Sequence, residues 1–159
     1  MPFIGVITNQ KNEHYVKENL KGIFKDDNII FINEKNILNI KNIVFEIILV
    51  DRQIKNDVQL NKIIVKSKYL ILNNDLQFIN KGNAITYGFN NKSTFTVSSI
   101  DEKNIIICLQ TCILNIDNEE IEPQEFKMNN DENVDKYAII GTEIVKVLYD
   151  INRHKNNKN

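Results

Sequence analysis

Thr8, Asn9 and Lys11 follow the apolar run Phe3-Ile4-Gly5-Val6-Ile7, and Asp51, Asn73 and Asp75 close two later apolar runs. A hydroxyl, an ammonium and carboxylates at strand ends are the groups that hold phosphates and divalent cations in α/β nucleotide enzymes. A phosphate loop also needs glycine, so that successive backbone N–H groups converge on the anion without a Cβ in the way. It needs a Ser or Thr hydroxyl after the lysine to hold Mg²⁺. Here Gln10 precedes Lys11 and Asn12 follows it. Lys11 can neutralise a phosphate as a point charge beside a helix starting near Asn12, or it is an ordinary exposed lysine after a strand. Asp51 either binds a metal or forms a surface ion pair with adjacent Arg52. Asn73 and Asp75 either face a ligand or bond their own backbone in a turn. Gly88 reads as a position of positive φ or close packing. His14 reads as an exposed helical residue, and Ser98 and Ser99 lack the Gly-flanked elbow of a nucleophile.

These residues need a scaffold, and its pattern is an alternation of β-rich apolar runs with segments of helical periodicity up to about residue 90. Strands are expected over Phe3 to Thr8, Asn28 to Asn33, Val44 to Val50, Tyr69 to Asn73 and Ala84 to Tyr87. Tyr15, Val16, Leu20, Ile23 and Phe24 recur near helical spacing, as do Val58, Leu60, Ile63 and Ile64. This is the signature of a parallel sheet, and right-handed crossovers place helices on both its faces. After Gly88 the pattern changes to antiparallel strands: Ser93 to Ser99, the long run Ile105 to Ile116, and Ile121 to Met128 with Pro123 marking an edge. Val134, Tyr137, Ala138, Gly141, Ile144, Val145, Leu148 and Ile151 then form one apolar stripe on a closing helix.

The chain has 159 residues, with 20 Lys and Arg against 21 Asp and Glu. At this length one domain over residues 1–152 is expected, with a polar tail over 153–159 that carries His154. The charges are interspersed, so no basic footprint points to nucleic acid. No apolar run approaches the roughly 20 residues that span a bilayer, and Met1-Pro2-Phe3-Ile4 enters a strand with no leader, so a cytoplasmic protein is expected. Cys108 and Cys112 would lie about 13 Å apart on one strand face, too far for a disulfide, and read as buried free thiols.

In order, these segments resemble the central domain of the Mur ligases, ATP-dependent enzymes that form amide bonds in cell-wall synthesis. The family's first strand runs into a loop G-T-x-G-K-T/S, and Ile7-Thr8-Asn9-Gln10-Lys11-Asn12 keeps its Thr and Lys. Phe45 to Asp51 resembles the strand that ends in a metal-side carboxylate, Tyr69 to Asp75 the strand that closes on Asn-x-Asp, and Ala84 to Phe89 the next strand and turn. Asn133-Val134 resembles the opening of the last helix, with Lys136 where the family has a nucleotide-side asparagine. The resemblance implies an α/β fold of P-loop or Rossmann-like type: a mainly parallel sheet flanked by helices, an antiparallel β-hairpin extension and a long C-terminal helix. It implies ATP and Mg²⁺ as cofactors, with Thr8, Asn9, Lys11, Asn73 and Asp75 on the nucleotide and Asp51 on the metal. The missing glycines, and the lack of counterparts for the family's metal-binding histidine and carbamylated lysine, imply lost chemistry. The leading expectation is a non-catalytic binding or regulatory module linked to cell-wall synthesis. The alternatives are an ATP/Mg-binding enzyme with residual activity and a structural partner for another protein.

Overall fold

Apolar side chains alternate between two faces along each central strand, as period-two burial on both sides of a sheet requires. Ile4, Val6, Ile47, Leu49 and Ile71 enter one buried cluster, while Ile7, Ile48, Val50, Leu70 and Leu72 enter another. The computed structural model describes residues 2–76 and 83–149. Within them the chain forms β1 (Phe3–Ile7), α1 (Glu13–Leu20), β2 (Ile29–Phe31), β3 (Phe45–Val50), α2 (Asp57–Val65), β4 (Tyr69–Asn73) and β5 (Ile85–Gly88). There follow β6 (Phe95–Ile100), β7 (Asn104–Leu109), β8 (Ile113–Leu114), β9 (Glu120–Ile121), β10 (Glu125–Asn129) and α3 (Lys136–Tyr149).

The fold is α/β, with an eight-stranded mixed sheet in the order β10-β7-β6-β5-β4-β3-β1-β2 and a two-stranded antiparallel sheet of β8 and β9. Strands β1 to β5 pair in parallel, in registers such as Ile4 with Ile47 and Ile48 with Leu70. Helices cover both faces: α1 and α3 join the first cluster through Val16, Leu20, Ile140 and Ile144, and α2 joins the second through Leu60 and Ile63. Among the described residues no helix is long and apolar enough to cross a membrane.

Strand β6 changes the direction of the sheet. The stretch Ser93 to Ser99 was expected to pair only antiparallel, yet β6 lies parallel to β5 through Tyr87–Phe95 and Gly88–Thr96 and antiparallel to β7. It starts beside the end of β5 and runs on past it, so no long crossover is needed. Thr86 and Thr94 tie this junction, each backbone N–H donating to the other's hydroxyl at 3.2 and 2.9 Å.

Four further expectations are corrected. The run Ile105 to Ile116 breaks at Gln110, whose side-chain amide donates to the Asn91 and Ser93 carbonyls. Cys112 lies past this break and is exposed, and Cys108 sits on the less buried face of β7, both free, in place of two buried thiols. Ile121 to Met128 divides between β9 and β10, and β10 forms the edge next to Pro123. The closing helix starts at Lys136, and it is buried without interruption from Ala138 to Val145, not along one stripe. Ile151 and the tail 153–159, with His154, lie outside the described residues.

Candidate functional site

The loop after β1 gathers its donors through side chains. Asn9 is extended, Gln10–Asn12 make one 3₁₀ turn, and α1 follows directly. With no glycine in this turn the backbone does not wrap an anion, and the Asn12 N–H is spent on the Asn9 carbonyl at 2.9 Å. Lys11 Nζ, Asn12 Nδ2 and Asn9 Nδ2 instead converge on the carboxylate of Asp135, at 2.8, 2.9 and 3.1 Å. Asp135 immediately precedes α3, and its own N–H donates back to Asn12 Oδ1 at 3.1 Å. Bonds from Lys11, Asn12 and Asn9 hold its carboxyl down to about 2. A carboxylate of the protein thus fills the place where the loop's donors meet.

Beneath this clasp lies Asp51, at the carboxyl end of β3. It is 7% exposed, and one of its oxygens accepts the Thr8 hydroxyl. Burial pushes its carboxyl up to about 7, against the Thr8 bond, and the charge of Asp135 adds to the rise. The expected Asp51–Arg52 surface pair is not formed. Arg52 turns away to grip Glu34 through two bonds of 2.8 and 3.0 Å, and its Nε donates to the Thr8 carbonyl. This bidentate fork suits a planar guanidinium and holds the Glu34 carboxyl down to about 2. Asn73 supports the site from β4: its amide donates to the Asp51 carbonyl at 3.1 Å, and its Oδ1 accepts the Asp75 N–H in a turn.

The opposite wall is aromatic, and Asp75 organises it. Its carboxylate accepts the Phe89 N–H at 2.9 Å, the Asn90 N–H at 3.2 Å and the Tyr137 hydroxyl at 2.7 Å. Phe89 and Tyr137 meet edge to face, with ring centroids 5.9 Å apart. Gly88 makes this possible: its φ is +149°, and a Cβ there would lie 2.7 Å from Asp75 Oδ2. Gly88→Ala is expected to destabilise the fold by about 1–3 kcal/mol through backbone strain alone, more with the overlap, read as a lower urea midpoint at unchanged slope.

A cavity of about 260 Å³ opens between these walls, lined by Asn9, Asp51, Phe89, Asp135, Lys136 and Tyr137. Of the residues expected from the sequence, Thr8, Asn9, Lys11 and Asp51 come together, whereas Asn73 and Asp75 act as supports for other groups. His14 is exposed on α1. Asp135 carries no signal in the sequence, while Phe89 reads there only as the close of a turn and Tyr137 as part of an apolar helix stripe. Magnesium nucleotide does not fit the donor set: an incoming phosphate would have to expel Asp135 from Lys11, and Asn12 offers an amide in place of a metal-side hydroxyl. Among the described residues no group of three or more His, Cys, Asp or Glu side chains can hold a metal ion. Compared with known proteins, the chain matches no family model, no curated protein and no solved structure.

Proposed function

We propose that this chain is a non-catalytic binding or regulatory module, built on a P-loop-like scaffold similar to the central domain of a Mur ligase. The observation that carries this reading is the Lys11–Asp135 clasp, in which the lysine that would face a phosphate is neutralised from within. Phosphoryl transfer requires positioned phosphates and metal ions together, and here one internal carboxylate consumes the loop's donors. The link to cell-wall synthesis rests on the sequence resemblance. A cytoplasmic place agrees with two cysteines left unpaired.

A second reading, a nucleotide enzyme with residual activity, draws on the meeting of Thr8, Lys11 and Asp51 at the strand ends. Calorimetric titration with ATP, with and without Mg²⁺, separates the two. No saturable heat is expected up to millimolar ATP, for the natural protein or for Lys11→Ala. Magnesium-dependent binding that Lys11→Ala abolishes would end the non-catalytic reading.

A further inference from the structure

The cavity beside the clasp has its own chemistry. Its lining places one buried carboxylate and two aromatic rings around a space large enough for a small organic molecule. Asp51 is more than nine-tenths buried, and only its Oδ2 has a hydrogen-bond partner among the described residues, the Thr8 hydroxyl. Its Oδ1 is left for whatever enters. Phe89 is a large aromatic residue left 53% exposed at the carboxyl edge of the parallel strands, where open α/β sheets collect ligands. It is not loosely held, because Asp75 fixes its backbone and orders Tyr137 beside it.

Charge decides what such a space accepts. Lys11 is spent on Asp135, and among the described residues Lys136 is the one cationic side chain in the lining. Arg52 is likewise spent on Glu34 and the Thr8 carbonyl, so the space offers an anion no cluster of unspent cations, while Asp51 offers a cation a carboxyl. A bare metal ion lacks ligands, since both oxygens of Asp135 are engaged by the loop. A cation with an apolar body satisfies both walls, its charge on Asp51 and its body against the rings. Burial disfavours the ionised Asp51 carboxylate in the empty site, and a neighbouring cation favours it.

We infer that the cavity between Asp51 and the Phe89–Tyr137 pair binds a small organic ammonium carrying an apolar or aromatic group. This rests on the reading of the chain as a binding module and names the ligand class of its site. The test compares 2-phenylethylammonium with 2-phenylethanol, its near-isosteric neutral counterpart, followed by amide chemical shifts on the full chain. The ammonium is expected to saturate and to bind about tenfold or more tightly than the alcohol, since hydrogen bonds to charged groups exceed neutral ones. Asp51→Asn keeps an acceptor for Thr8 and is expected to remove that preference. Phe89→Ala, at an exposed position, is expected to weaken the ammonium about two- to thirtyfold. Equal binding of amine and alcohol, no binding of either at millimolar concentration, or a preference that survives Asp51→Asn overturns the inference. ATP binding through Lys11 overturns the non-catalytic reading instead, so the two failures are distinguishable.

Discussion

Asp51→Asn is expected to stabilise the protein above pH 7 and to flatten its pH dependence between about pH 4 and pH 7. The folded-state pKa, about 7, lies above the ordinary 3.8, because burial penalises the charge. The folded form therefore holds its proton more tightly than the unfolded chain does. The stability this contributes is fully present below pH 3.8 and is lost as pH rises through about 7. A shift of this size corresponds to a ceiling on the order of 4 kcal/mol. Asparagine mimics the neutral carboxyl, still accepts the Thr8 hydroxyl, and does not ionise. Glu34 and Asp135 act in the opposite sense: their carboxyls, held near 2, contribute stability that is lost only as pH falls below the ordinary carboxylate range. Urea unfolding at pH 5 and pH 8 provides the check. A natural protein equally stable at both values, or no gain from asparagine at pH 8, would show that Asp51 is not buried as described.

The second large effect is expected at Gly141, in the middle of α3. A Cβ there would lie 2.6 Å from Leu49 Cδ1 and 2.8 Å from the Tyr87 hydroxyl oxygen. Both neighbours are fully buried, so neither swings aside freely. Gly141→Val adds two methyl groups beyond that Cβ and is expected to cost about 3 kcal/mol or more by overpacking. Gly141→Ala sets the overlap against the gain of about 1 kcal/mol from better helix propensity. Tyr87→Phe separates the contributions. It removes a buried hydroxyl with no hydrogen-bond partner among the described residues and relieves the 2.8 Å contact, leaving that with Leu49 Cδ1 in place. Alone it should be neutral to stabilising, by up to about 1–3 kcal/mol, and it should soften Gly141→Ala when the two are combined. An unchanged urea midpoint for Gly141→Val would mean that α3 does not press on the sheet at this point.

The parallel half of the fold was readable from the sequence because its strands are short, dense in Ile, Val and Leu, and separated by helical spacing. Tyr69–Asn73 appears with the expected bounds, and the other four strands fall within two residues of theirs at either end. The antiparallel half was less readable. Dense apolar runs on either side of Gln110-Thr111 hide the break there, which is held by side-chain bonds to the distant Asn91 and Ser93 carbonyls. Helix α3 was recognisable as a helix, but its all-round burial depends on α1 and the sheet closing over it, which periodicity does not report. The site divides the same way. Thr8, Lys11 and Asp51 were visible as strand-end chemistry, whereas the clasp joins Asn12 to a residue 123 positions away. Only the folded chain brings Asp135 to the loop, and the ordinary helix-cap character of an aspartate before α3 conceals that role.

Burial of α3 also has a consequence for biosynthesis. Ile4, Val6, Ile47, Leu49 and Ile71 leave the ribosome long before the helix that shares their cluster, which is the last of the described elements in chain order. While Lys136–Tyr149 is still inside the exit tunnel, only α1 covers this face of the nascent sheet, and the area that α3 fills stays open. Parallel pairing with an open apolar face is a slow and aggregation-exposed intermediate. Cooperative closure of this domain therefore waits until α3 has emerged, and nascent chains stalled before Tyr149 should depend on chaperones that released ones do not need.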